Sequence, residues 1–87
     1  MQAVKLYLKE NVIGEKPLWG KLVDIRQGPP MELVLELRSG ETVTLLVEEC
    51  KPAVDWERYV GRRFVIYPQW EFVQAEWFFT PIIELFD

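Results

Sequence analysis

The sequence predicts a mainly β fold: a small antiparallel barrel of five or six strands, with one short helix between the third and fourth barrel strands. Three observations lead there. Apolar and polar residues alternate through most segments, the period of a strand with one buried face. Glycines and prolines punctuate those segments at short intervals. One stretch, past the middle of the chain, switches to the three-to-four spacing of a helix. At 87 residues the chain is expected to form a single domain, residues 1–87, with no room for a separate catalytic lobe. A chain of this size buries about 60–65% of its unfolded surface. That thin margin is offset by a composition that is 49% apolar and 14% aromatic.

The elements follow in order. In "MQAVKLYLKE", Val4, Leu6 and Leu8 share one face, and Lys5, Tyr7 and Lys9 share the other. "NVIGEKP" is turn-like around Gly14 and Pro17. "PLWGKLVDIR" reads as a strand that stops at "QGPP", where two prolines withdraw backbone donors. "MELVLELR" puts Met31, Leu33, Leu35 and Leu37 on one face, and "ETVTLLVEE" does the same with Val43, Leu45 and Val47. Ser39-Gly40 between them predicts a two-residue hairpin loop flanked by Arg38 and Glu41. In "KPAVDWERYVG", Ala53, Trp56, Tyr59 and Val60 recur at helical spacing between Pro52 and Gly61, so a helix of one or two turns is expected, with Trp56 and Tyr59 plugging the barrel end. Alternation returns in "RRFVIYP", "WEFVQAEWFF" and "IIELF", with Phe64 and Ile66 as core and Pro81 dividing the last stretch.

This order of elements resembles the OB-fold, a Greek-key barrel whose short helix lies between its third and fourth strands. The resemblance covers roughly residues 17 to 86, and the part most like the family is "WERYVGRRFVIYP", a helix ending in glycine that feeds an apolar strand. It is a likeness of element order, with no family motif. An extra N-terminal strand and an acidic balance set the chain apart, and an SH3-like small barrel fits the strands nearly as well without placing the helix. The resemblance implies single-stranded nucleic acid as a ligand class, bound by cations along the backbone and rings against the bases.

Charge and residue types exclude much chemistry. The net charge of −4 is unevenly spread: all ten Lys and Arg lie at or before Arg63, whereas Glu71, Glu76, Glu84 and Asp87 follow unopposed. With no histidine and a single cysteine, Cys50, neither a disulfide within the chain nor a zinc site of the common Cys/His type is available. The usual general base near neutral pH is missing too, and Glu48 and Glu49, adjacent on a strand, point to opposite faces. Cys50 lies beside Lys51, which would favour a thiolate, and behind Glu48 and Glu49, which would oppose it; it enters no site. A non-enzymatic protein without cofactor or metal is therefore expected. Charges at Lys5, Lys9 and Glu10 interrupt the N-terminal apolar run, so neither a signal peptide nor a membrane span is read there. Met1 is read as the native start, and the setting as reducing and cytoplasmic.

Two binding surfaces compete. The stretch 70–79 is apolar on both faces if it is one strand: Trp70, Phe72 and Phe78 alternate with Val73, Ala75, Trp77 and Phe79. Such a strand is either covered or offers rings to a partner. Its acidity disfavours phosphates, so Trp70, Phe72, Trp77 and Phe79 are read as an interface for a protein partner or a homodimer. A homodimer through the last strands would cover an unpaired edge, and the N-terminal strand would cover it equally well. The alternative surface is a nucleic-acid face of Lys5, Tyr7, Lys9, Lys21, Arg38, Arg62, Arg63 and Tyr67. Glu32 and Glu36 beside Arg38 weigh against it.

Overall fold

The computed structural model describes residues 1–86; Asp87, counted above among the C-terminal acids, lies outside them. The strands are β1 (Gln2–Leu8), β2 (Leu18–Arg26), β3 (Met31–Leu37), β4 (Thr42–Lys51), β5 (Arg63–Tyr67), β6 (Trp70–Val73), β7 (Glu76–Phe79) and β8 (Ile82–Leu85). Six of them close into a barrel in the order β1-β4-β3-β2-β5-β8, each neighbouring pair antiparallel. The consecutive β2, β3 and β4 form a meander, and β5 returns to lie beside β2, which is the Greek-key order. β1 fills the place between β4 and β8. The edge that a homodimer would have covered is thus covered from within the chain, by the N-terminal strand.

Alternation places the core. Val4 and Leu6 on β1, Leu33 and Leu35 on β3, Leu45 and Val47 on β4, Phe64 and Ile66 on β5, and Ile83 and Leu85 on β8 all face inward and are buried. Trp56 and Tyr59 join the same cluster at the barrel end, where the Tyr59 hydroxyl donates to Gln2 Oε1 at 3.1 Å.

Three local expectations are corrected. The helix is only a single 3-10 turn, Trp56–Tyr59, and because β1 is itself a barrel strand it falls between the fourth and fifth strands, not the third and fourth. Residues three apart eclipse on a 3-10 turn as they nearly do on an α-helix, so Trp56 and Tyr59 can both be buried without one. β4 runs through Lys51 and Asp55 makes no side-chain cap, which leaves too little chain for more. The β3–β4 loop has three residues, Arg38-Ser39-Gly40: the Leu37 amide donates to the Glu41 carbonyl at 2.8 Å, and Gly40 takes a φ of +92°. Arg38 thus sits in the turn instead of flanking it.

The third correction concerns residues 70–79. They form a hairpin, β6–β7, as a sheet separate from the barrel. Val73 pairs with Glu76 across Gln74 and Ala75, whose φ values of +50° and +64° are those of a two-residue type I′ turn. Neither residue is the Asn or Gly that usually announces such a turn, so the alternation reads through it as one strand.

At the hairpin root the Thr80 amide donates to the Gln69 carbonyl at 2.8 Å. The Thr80 side chain is fully buried, and its hydroxyl has no hydrogen-bond partner among the described residues. Leaving a buried hydroxyl unpaired costs about 1–3 kcal/mol. Thr80→Val is therefore expected to stabilise the protein by about 1 kcal/mol, raising Tm by about 4–8 °C. A lower Tm in a calorimetric scan would mean that the hydroxyl is paired in solution.

Candidate functional site

Folding the hairpin at Gln74-Ala75 brings together rings that a single strand would have separated. Trp70 stands opposite Phe79 and Phe72 opposite Trp77, so all four share one face. Their ring centroids lie 4.9 Å and 5.0 Å apart, within the range of favourable tilted aromatic pairs. The ladder grows more exposed toward its tip: Phe79 is 6% exposed, Trp70 48%, Phe72 60% and Trp77 67%. Phe79 is therefore a correction to the expected interface. It belongs to the barrel core and roots the hairpin, while the other three rings face solvent.

The opposite face carries Glu71, Val73, Glu76 and Phe78. Glu71 forms a salt bridge with Lys5 of β1, the strand that β7 packs beside, and this ties the hairpin to the barrel. The hydrogen bond to Glu71 holds the Lys5 ammonium above its ordinary pKa, against the opposing effect of desolvation.

The eight residues of the expected nucleic-acid face divide. Lys5 is committed to Glu71. Tyr7 lies under the Lys51 ammonium, 5.4 Å from the ring centroid. Lys9 is exposed just beyond the end of β1, where its amide donates to the Leu46 carbonyl. The Glu84 carboxylate beside Tyr67 raises the phenol pKa. None of these four lines the groove that the other four share.

Lys21, Arg38, Arg62 and Arg63 do converge. They line an open groove of about 940 Å³ together with Trp19, Gly20, Glu36 and Phe64. β2 supplies the floor. One wall is the β3–β4 turn, held by the Arg38 amide donating to the Trp19 carbonyl at 3.2 Å. The other wall is the loop entering β5, held by the Gly61 amide donating to the Leu22 carbonyl at 2.6 Å and the Leu22 amide donating to the Arg62 carbonyl at 3.0 Å. Lys21 stands directly opposite Arg63 on β5 and opposite Glu36 on β3. Among the described residues none of the four cations forms an ion pair.

Trp19 is the residue that sequence reasoning missed. It is 50% exposed and stands across from Val65, which points outward yet is buried. Alternation in β2 carried the signal, since Trp19 falls on the face of Lys21 and opposite that of Leu18 and Leu22. The groove and the hairpin occupy the two ends of β5, with Arg63 at its start and Trp70 three residues beyond its close. No helix among the described residues is long and apolar enough to cross a membrane. Searches with family models, against curated proteins and against solved structures return no match to the chain.

Proposed function

We propose that the protein is a non-enzymatic interaction module, an OB-fold-like barrel that docks a protein surface on the aromatic face of its β6–β7 hairpin. One observation carries this reading: Trp70, Phe72 and Trp77 lie on one face of a hairpin that stands outside the barrel, and each is about half exposed or more. Exposed tryptophan and phenylalanine grouped in this way are what the centres of protein interfaces enrich. The hairpin's own strands carry no cation, and Glu71 engages Lys5 of β1, so the ring face offers a phosphate backbone no counter-charge where it offers a protein surface three rings. The OB-fold likeness agrees. Without β1, the remaining barrel strands follow a five-stranded Greek-key course, and the hairpin occupies the connection between its last two strands, a loop by which OB-folds hold ligands.

A second copy of the chain is the first partner to test, by light scattering over a concentration series. Wild type is expected to associate as concentration rises, and Trp77→Asp and Phe72→Asp to remain monomeric, each losing about 2 kcal/mol or more of binding, roughly 30-fold in Kd. The thermal unfolding of both variants should stay within about 1 kcal/mol of wild type, because all they lose in the fold is one cross-strand ring pair. A wild type that stays monomeric and retains no protein from its own cell extract in a Trp77-dependent way would overturn the proposal. Global unfolding of Trp77→Asp would do so as well, by making that ring part of the core.

A further inference from the structure

The groove over β2 is a second surface, independent of the hairpin, and we infer that it binds single-stranded nucleic acid, with phosphates on Lys21, Arg38, Arg62 and Arg63 and a base stacked on Trp19. The cations come from three separate stretches of sequence, and the chain as a whole has more acids than bases, fourteen to ten. Chance placement at that ratio would put more carboxylates than cations along a groove. Among the described residues Glu36 is the single carboxylate lining the groove.

The register also sets like charges against each other. Lys21 and Arg63 stand directly opposite each other on antiparallel strands, a placement of like charges that costs a sheet stability and that Glu36, opposite Lys21 on β3, offsets only for Lys21. Arg38 and Arg62 line the same groove from the two walls. A bound polyanion would turn this repulsion into attraction, whereas nothing in the packing of the barrel requires four cations there.

The aromatic residue narrows the ligand. Trp19 follows the same outward face of β2 as Lys21, two residues away, so a ring and a cation present themselves together. A base can lie on that ring only if it is free of a duplex stack, which selects a single strand. Cations on the floor and on both walls exceed what one phosphate group needs, which favours a continuing backbone over a mononucleotide.

Fluorescence anisotropy with a labelled oligothymidylate of about 12 nucleotides, a length within the usual range of such sites, tests this on the full chain. Binding is expected at low salt, with log K falling against log salt at a slope of about −2 to −3, the value for three to four phosphate contacts. Arg63→Ala and Arg38→Ala should each weaken binding and flatten the slope by about 0.7. Trp19→Ala should weaken it about 5- to 150-fold while leaving the slope unchanged. Trp77→Asp should bind as wild type does, which separates this inference from the hairpin reading. All the substituted side chains are exposed, and unchanged circular dichroism confirms that the variants are folded.

Three results would overturn the inference. The first is no binding at low salt by folded wild-type protein. The second is binding that ignores Arg63→Ala and Arg38→Ala. The third is full binding by Trp19→Ala together with equal competition from polyglutamate, which would reduce the groove to an unspecific basic patch.

Discussion

Phe64→Ala is expected to lower the free energy of unfolding by about 3–5 kcal/mol and Tm by more than about 12 °C, read from urea and thermal unfolding. The ring is 1% exposed and stands between Gly20 on β2 and Leu85 on β8. Gly20 has no side chain with which to fill the space that the ring leaves. A closed barrel cannot draw its walls together without breaking strand pairs, so the cavity would persist, and residual cavity volume is what makes some large-to-small changes dearer than others. Domains of this size are stable by only about 5–15 kcal/mol, so the variant is expected to be partly unfolded at physiological temperature. A loss below about 1 kcal/mol would show that the interior repacks, and that Phe64 is a replaceable filler.

Gly20→Ala is expected to cost about 3 kcal/mol by the opposite mechanism, overpacking. A Cβ at this position would come within 2.1 Å of the Glu36 carbonyl oxygen and 3.1 Å of the Leu37 Cα. Both are backbone atoms of the paired strand, so no rotamer change relieves the clash and β3 itself must move. The displaced strand leads into the Arg38 turn, so the groove should be distorted along with the fold. Because Gly20 and Phe64 are cross-strand neighbours, the double substitution should depart from additivity by at least about 0.5 kcal/mol. Tolerance of alanine within about 0.5 kcal/mol in urea unfolding would contradict the close approach of β2 to β3.

Much of the barrel was legible because alternation has a period of two and a barrel has two faces. The inward sets on β3 and β4, Leu33 and Leu35 with Leu45 and Val47, are those the pattern names. One signal went unread: Gly20 is an interior strand glycine, a sign of close backbone approach, and it lies against the Glu36 and Leu37 backbone of β3. Patterns say nothing about turns made by unusual residues. Gln74 and Ala75 carry no turn signature, and without that turn Trp70 and Trp77 fall on opposite faces. The same limit applies to the helical spacing of Trp56 and Tyr59, which a single 3-10 turn satisfies as well as an α-helix would.

By itself the sequence determined the barrel strands, the side of each that is apolar, the acidity of the C-terminal segment and the absence of histidine chemistry, because these depend on local order and composition alone. Tertiary structure decided which strands are neighbours, and hence the rest. Closure through β1 removed the open edge, and the β6–β7 turn gathered three exposed rings on one face. Barrel register set Lys21 against Arg63 and brought Arg38 beside them, from positions far apart in the chain. Partner choice between strands is a property of the whole barrel, set by which pairings let every inward side chain fill the same core, and no window of sequence contains it.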